Sequence, residues 1–338
     1  MSEPVAALLE GFDAVAIGSP DRLRATFVPA AGMVCCSLRF GGIELLAQRS
    51  GVRAYAERGS TMGIPLLYPW ANRLAGPSYP GPGGAPVRLD PDDPLLKLDA
   101  NRLPIHGAIA GELPWELLES SEQDGRLRAR LHWRRADLLA IFPFSHTLEL
   151  EARIEGEATL AIQTSVQPDP DPAGAGSDRE APASAPVPIS FGFHPYLSLP
   201  GADRGDWQVE LPVRRRLLLD PRMIPTGESE PFERHRFVLA EGDWDDSFAE
   251  LLDPPTFCVA DGRGSAGPDA GRDAGTSRIA LELREGYSDA QFYAPAGASF
   301  VCFEPMTAPT NALISRDGLR TVAPGASFSA TFAISVYT

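Results

Sequence analysis

Alternation of apolar and polar residues with a period of two is the feature of this sequence that most restricts its fold. In the segment 127–133, leucine, alanine and tryptophan side chains alternate with arginine and histidine. Such alternation is typical of antiparallel strands that bury one face and expose the other. Helical periodicity is scarce, and only the stretch 4–12 predicts a short helix. The alternation recurs in the segments 148–154, 160–166, 207–213, 279–283 and 328–336.

Glycine and proline, with 32 and 33 residues, interrupt the alternating segments along the whole chain. Short strands joined by many turns require this composition. We therefore predict an all-β fold, a sandwich or a larger layered assembly of sheets, in a single domain over 1–338. Two segments, 168–188 and 261–277, have few bulky apolar residues to offset the entropy cost of ordering, so we predict flexible loop insertions there.

The charge and cysteine content restrict the partners of the chain. Its 30 basic and 45 acidic residues give a net charge of −15, which repels phosphate backbones and anionic lipid. We therefore predict that it binds neither nucleic acid nor membranes.

No signal peptide and no apolar run of about 20 residues is recognisable, which favours a cytoplasmic location. The four cysteines form no CxxC pair, so we predict buried, reduced thiols and no metal site.

Two short stretches carry polar residues that a strand pattern does not require. Asn72 and Arg73 end an apolar segment that contains two prolines. An arginine there is costly to bury unless acceptors surround its guanidinium, although a surface arginine lying over Trp70 also fits. His106 precedes Gly107, and a glycine lets other groups approach the imidazole closely. A hydrogen-bonded structural histidine fits this pattern as well.

Two further stretches carry ionisable residues beside aromatic ones. His194 lies in an aromatic segment, which suits the apolar face of a sugar ring and a group that transfers protons near neutral pH. Glu304 ends an apolar strand, where burial would raise its pKa toward a value useful to a general base. A core histidine and an exposed glutamate explain these patterns equally well. Asp245 and Asp246 either accept sugar hydroxyls or begin a turn.

The order of these motifs carries more information than any one of them. Asn-Arg-x-x-Gly, Ile-His-Gly, Gly-x-His-Pro-Tyr, Pro-Thr-Gly, Asp-x-x-Phe and Phe-Glu-Pro follow one another along the chain. In this order they resemble the aldose 1-epimerase family. The resemblance implies a large antiparallel β-supersandwich of the galactose mutarotase type. It also implies an isomerase that interconverts the α and β anomers of a free hexose with neither a metal nor an organic cofactor.

The resemblance also assigns roles to individual residues. Glu304 matches the family's general base, which as a carboxylate takes the proton of the anomeric hydroxyl. His194 matches its general acid, which as an imidazolium gives a proton to the ring oxygen, and both groups need pKa values near neutrality. The positions that match sugar-binding residues are Arg73, His106, the adjacent Asn72, and Asp245 or its neighbour Asp246.

Three alternative functions remain open at this point. A hexose-6-phosphate 1-epimerase would use Arg73 and other arginines to hold the phosphate, although the Asn-Arg pair resembles the neutral-sugar enzymes. A non-catalytic carbohydrate-binding protein would need aromatics and acceptors but no acid and base. A glycoside hydrolase would need two carboxylates beside one bond. In each case the expected partner is a small-molecule sugar, and the protein is expected to be a monomer or a homodimer.

Overall fold

A computed structural model of the chain describes most of its length. The greater part of both predicted loop insertions, residues 171–184 and 263–277, lies outside the described residues. Flexibility of these loops therefore stays a prediction. The described residues are 7–108, 113, 115–170, 185–240, 242–262 and 278–338.

Strands dominate the described part of the chain, and the helices there are short. The helices are α1 (Gly51–Arg58), α2 (Ala136–Ile141) and α3 (Ala312–Ser315). The strands of the first half are β1 (Ala7–Leu9), β2 (Phe12–Gly18), β3 (Leu23–Val28), β4 (Val34–Phe40), β5 (Ile43–Glu44), β6 (Leu66–Leu67), β7 (Ser78–Pro80), β8 (Pro86–Arg88), β9 (Leu96–Leu98), β10 (Pro104–Ala108), β11 (Glu116–Ser121), β12 (Arg126–Trp133), β13 (His146–Glu155) and β14 (Thr159–Pro168). The strands of the second half are β15 (Val187–Ile189), β16 (Gly192–Phe193), β17 (Tyr196–Leu197), β18 (Trp207–Glu210), β19 (Val213–Leu219), β20 (Pro225–Pro231), β21 (Arg236–Val238), β22 (Trp244–Leu251), β23 (Thr256–Asp261), β24 (Arg278–Glu285), β25 (Asp289–Ala294), β26 (Val301–Met306), β27 (Arg320–Val322) and β28 (Phe328–Tyr337).

Two large antiparallel sheets form the body of the molecule, which confirms the predicted all-β class. The nine-stranded sheet has the order β11-β12-β13-β14-β28-β24-β23-β18-β21. The eight-stranded sheet has the order β20-β19-β22-β25-β26-β16-β6, and β17 pairs with β26. Strands β1 to β5 form a five-stranded sheet, and the pairs β7-β8, β9-β10 and β15-β27 form small separate ribbons.

The main core lies between the two large sheets. The ring of Phe303 on β26 is 5.6 Å from that of Phe257 on β23, and Phe193 on β16 is 4.9 Å from Phe332 on β28. Side chains alternate between the two faces of a strand. Because Phe303 points into this core, its neighbour Glu304 points to the opposite face of the eight-stranded sheet. That face carries the candidate site.

Two predictions of local structure are wrong. The segment 207–213, predicted as one strand, is divided between β18 in the nine-stranded sheet and β19 in the eight-stranded sheet. Pro212, which has no N–H for a sheet hydrogen bond, stands between them. In the described part of the predicted N-terminal helix, from residue 7 onward, the chain instead forms a hairpin of β1 and β2, whose turn residues Glu10 and Gly11 have φ values of 50° and 94°. Positive φ at both positions suits a two-residue hairpin.

Candidate functional site

Asn72 and His106 meet because the segment 68–73 runs beside β10. The amide of His106 donates a hydrogen bond of 2.8 Å to the carbonyl of Asn72. Gly107 has a φ of 71°, and a side-chain carbon there would lie 2.1 Å from the carbonyl oxygen of Tyr68. Glycine at this position is therefore required for the close approach of two backbones. The group that approaches Gly107 closely is thus the protein backbone, and a close approach of a ligand to the His106 imidazole stays a prediction.

Both residues also have left-handed backbone conformations. The φ of Asn72 is 53° and that of His106 is 65°. Non-glycine residues adopt this region seldom, and such conformations gather at functional sites. The side chains are held firmly nonetheless, since Asn72 is 4% exposed and His106 is 8% exposed. The backbone thus aims the two side chains in fixed directions.

Glu304 and His194 are in direct contact. Nε2 of His194 lies 3.3 Å from Oε1 of Glu304, and both side chains are buried. Glu304 is positioned by β26, whereas His194 follows β16, which pairs with β26 in the same sheet. The amide of His194 also donates to the carbonyl of Pro65 at 3.2 Å. The tertiary structure therefore brings the two predicted catalytic residues into one site.

Tyr196 supports the imidazole of His194 from one side. The two rings are stacked with their centroids 4.3 Å apart, and the tyrosine hydroxyl lies 3.2 Å from Nε2 of His194. That hydroxyl accepts a hydrogen bond of 2.7 Å from Nη1 of Arg49 and lies 2.6 Å from Oγ1 of Thr61. The sequence analysis missed this support, although the Gly-x-His-Pro-Tyr motif contains Tyr196.

Arg73 is a nearly buried cation surrounded by acceptors. Its Nε donates to Oδ2 of Asp99 at 2.9 Å, and its Nη1 donates to Oδ1 of Asn72 at 3.0 Å. Its Nη2 lies 3.8 Å from Oδ2 of Asp245. The alternative of an arginine on the surface over Trp70 is therefore wrong. Asp99, which was not predicted from the sequence, is the main partner that offsets the free-energy cost of burying this charge.

The structure separates Asp245 from Asp246. Strands β22, β25 and β26 are paired so that Asp246 lies in register with Phe303, on the core face. Asp245 therefore shares the opposite face with Glu304. Asp246 instead contacts Arg216, with 3.4 Å between its Oδ1 and Nη1 of the arginine. Of the two aspartates, Asp245 reaches the candidate site and Asp246 does not.

Gln291 is a further residue of the site that the sequence analysis missed. It lies on β25 directly opposite Glu304 and is 1% exposed. Its amide nitrogen donates to Oδ1 of Asp245, and its amide oxygen accepts from the hydroxyl of Ser247. A single amide within the largely apolar run 290–294 was the available signal. Gln291 thus fixes the carboxylate of Asp245 on the face of the sheet that carries Glu304.

Comparisons with known proteins show the family to which the chain belongs. A family model described as Aldose 1-epimerase matches residues 16–335 of the chain. The chain belongs to the aldose 1-epimerase family. No curated protein sequence matches this family member. Family membership confirms the resemblance inferred from the order of the motifs and supports an epimerase function in general.

Solved structures resemble this family member over its whole length. A galactose mutarotase-like protein from Clostridium acetobutylicum has a TM-score of 0.75 at 16% identity, with 97% of this chain and 96% of that chain covered. A protein from Synechocystis sp. PCC 6803 has a TM-score of 0.72 at 22% identity, with 100% of both chains covered. Galactose 1-epimerase from Lactobacillus acidophilus NCFM has a TM-score of 0.64 at 13% identity, with 97% and 96% covered. These likenesses confirm the predicted antiparallel supersandwich.

Burial shifts the pKa values of Glu304 and His194 in this family member. Burial raises the pKa of Glu304 well above its ordinary value, Asp245 raises it further, and Arg73 opposes the shift. Burial, followed by the charge of Arg49, lowers the pKa of His194 to about 3. Both shifts favour the uncharged form. In the unliganded site the shifts therefore favour a neutral imidazole and a protonated carboxyl group, and the imidazolium expected at His194 stays a prediction.

Three buried polar atoms of the site have no hydrogen-bond partner among the described residues. They are Oε2 of Glu304, Nδ1 of His194 and Nδ1 of His106. Leaving such an atom unpaired costs about 1–3 kcal/mol, so native proteins seldom do it without a reason. Three such atoms on neighbouring side chains give water or a polar ligand hydrogen-bonding positions at this site.

Three further observations concern possible metal ligands, long apolar helices and the cysteines of this family member. Within the described ranges, no three His, Cys, Asp or Glu side chains are grouped as metal ligands would be. None of the helices in those ranges has the length and apolar character of a membrane span. All four cysteines are free and buried, which confirms the predicted thiols.

Proposed function

We propose that the chain is an aldose 1-epimerase that interconverts the α and β anomers of a hexose by opening and closing the sugar ring. The observation that supports this proposal is the 3.3 Å contact between Nε2 of His194 and Oε1 of Glu304. A carboxyl and an imidazole in contact hold one proton between them. Ring opening needs one group that accepts a proton and one that donates a proton at the same time.

The shared proton accounts for the acid and the base together. Moving it from Glu304 to His194 converts a neutral pair into a carboxylate and an imidazolium without changing the total charge. In this form Glu304 takes the proton of the C1 hydroxyl while His194 gives its proton to the ring oxygen. The bond between C1 and the ring oxygen breaks, and a carbonyl forms at C1. Rotation about C1–C2 and closure on the other face, with the roles exchanged, give the other anomer.

The remaining polar residues would hold the sugar during this step. Arg73 and His106 would stabilise negative charge on the ring oxygen or on neighbouring hydroxyls. Asp245, oriented by Gln291, would accept hydrogen bonds from sugar hydroxyls, and Asn72 is already oriented by Arg73. These groups need no rearrangement on binding, which lowers the entropy cost of the reaction.

The activity assay that tests this proposal is mutarotation. We expect the purified protein to accelerate the mutarotation of freshly dissolved α-glucose or α-galactose in polarimetry, with no added metal or cofactor. Sugar binding without acceleration would instead identify a carbohydrate-binding protein. Release of nitrophenol from a nitrophenyl glycoside would identify a glycoside hydrolase.

Asp245→Asn tests the substrate-binding assignment. Loss of one charge-assisted hydrogen bond to a sugar hydroxyl should raise KM by about tenfold to hundredfold, with a smaller change in kcat. Asp246→Asn is the matched control, because this side chain lies on the opposite face of the sheet, and its KM should stay within about threefold of the parent value. Anomer exchange measured by NMR gives both constants. A larger effect at Asp246 than at Asp245 would contradict the assignment.

The proposed function is accompanied by proposals on the partners and the cellular location of the protein. We propose a small-molecule sugar as the partner, with no nucleic acid or membrane, and a monomer or homodimer in the cytoplasm. Light scattering of the purified protein would distinguish the two oligomeric states, and cell fractionation would test the location.

A further inference from the structure

Arg49 and Lys97 are two cations at the margin of the proposed site. Lys97 is the only lysine among the 30 basic residues of the sequence. Arg49 makes three hydrogen bonds, to Thr61 and Tyr196, through Nη1, and Lys97 makes one to a carbonyl oxygen. In the part of the chain that the structure describes, no carboxylate forms an ion pair with either cation. Among the described residues, then, no carboxylate neutralises these two charges.

The two cations are anchored to the same short segment. Nη1 of Arg49 donates to the carbonyl of Thr61 at 3.1 Å, and Nζ of Lys97 donates to the carbonyl of Gly59 at 2.9 Å. These acceptors are two residues apart, which places the charged groups near each other. Burial first, and then the charge of Arg49, lowers the pKa of Lys97. Holding two like charges together is unfavourable unless an anion compensates them.

Both cations lie on the histidine side of the site. The hydroxyl of Tyr196 connects Arg49 to His194 through contacts of 2.7 Å and 3.2 Å. Lys97 on β9 lies opposite Ile105, the residue before His106. Burial first, and then the charges of Arg49, Lys97 and Arg73, lower the pKa of His194. Burial, Asp245 and Arg73 are the causes that act on the pKa of Glu304, and Arg49 and Lys97 are not among them.

Unlike Arg49 and Lys97, Arg73 already has carboxylate partners within the protein. Its guanidinium already contacts Asp99, Asn72 and Asp245. The predicted use of Arg73 to hold a phosphate is therefore unfavourable, since a phosphate would compete with two carboxylates. By contrast, Nε and Nη2 of Arg49 make no hydrogen bond to any residue that the structure describes. Among the described residues, Arg49 therefore has donors that neither a hydrogen bond nor a carboxylate engages.

We propose that Arg49 and Lys97 bind an anionic substituent, a phosphate ester or a carboxylate, at the C6 end of the aldose. This inference rests on the proposed function, which places the ring oxygen at His194. In a hexopyranose the ring oxygen is bonded to C5, and C5 carries C6. A group at C6 therefore lies next to the atom that His194 protonates, within reach of cations just beyond that histidine. Guanidinium and ammonium groups are the usual ligands of phosphate and carboxylate.

Lys97→Met tests the subsite by comparing sugars. Values of kcat/KM for glucose, glucose 6-phosphate and glucuronate are measured by NMR exchange. We expect the parent protein to prefer an anionic sugar, and Lys97→Met to lose about tenfold to hundredfold on that sugar while glucose changes by less than about threefold. Lys97→Arg should restore most of the preference. Arg22→Gln, which removes an exposed charge paired with Glu157, is the matched control and should leave the preference unchanged.

Amine modification of the single lysine gives a second readout that does not depend on catalysis. Acetylation of Lys97, measured by peptide mass spectrometry, should be slowed by the anionic sugars and not by glucose. The better of the two anionic sugars identifies a phosphate or a carboxylate as the natural group. Equal kcat/KM for neutral and anionic sugars, or equal losses on both in Lys97→Met, would overturn the subsite. If no aldose is interconverted, the epimerase proposal fails, and the protection of Lys97 still decides whether anions bind.

Discussion

Glu304→Gln should abolish anomer interconversion while sugar binding remains measurable. The amide has nearly the shape of the carboxyl group but cannot take the proton of the C1 hydroxyl. Removal of a general base lowers kcat by about 10²- to 10⁴-fold. Polarimetry and NMR exchange give kcat, and calorimetry gives the affinity for the sugar. Retention of most of the activity would refute the assignment of Glu304 as the base.

The stability of the same variant separates catalysis from folding. Because burial raises the pKa of Glu304 in the folded state, the unfolded chain releases this proton at a lower pH than the folded protein does. The free energy of unfolding therefore falls as pH rises above the ordinary carboxyl pKa, toward the raised value. Glutamine does not ionise, so Glu304→Gln should have an equal or higher Tm at neutral pH. An inactive variant with a strongly lowered Tm would indicate a structural role instead.

His194→Asn should lower kcat by at least about 100-fold, because asparagine can donate a hydrogen bond but cannot transfer a proton. His106→Asn is the comparison, since the two imidazoles lie 5.5 Å apart and His106 is assigned to sugar binding. It should mainly raise KM. A small loss in kcat at His194 together with a large loss at His106 would move the acid role to His106.

The pH dependence of the parent enzyme checks the same assignment. The pair of His194 and Glu304 is active while it holds one proton. His194 takes up a second proton only near its lowered pKa of about 3, and Glu304 releases the shared proton only above its raised pKa. The kcat/KM profile should therefore stay flat well below the ordinary pKa of a histidine. An acid limb near that ordinary value would show that His194 is not buried in the working enzyme.

The amino-acid sequence alone determined the fold class and the family. Alternation in segments such as 148–154 is a local property, because the pattern within each strand shows by itself that one face is buried. The two catalytic candidates, Glu304 and His194, were also recognisable, because their motifs keep a fixed order along the chain. Local pattern was less reliable where a proline changed the partner sheet, as in the segment 207–213.

The tertiary structure alone decided how the site is assembled and charged. The choice of Asp245 over Asp246 depends on the register of three strands. A shift of one residue in this register would move each side chain to the other face of the sheet. Arg49 and Lys97 are anchored to Thr61 and Gly59 through contacts between residues that are distant in sequence, which no local pattern records. The protonation of Glu304 and His194 depends on burial, and burial is a property of the packed sheets. Composition and periodicity therefore specify the sheets, whereas pairing and packing specify the chemistry.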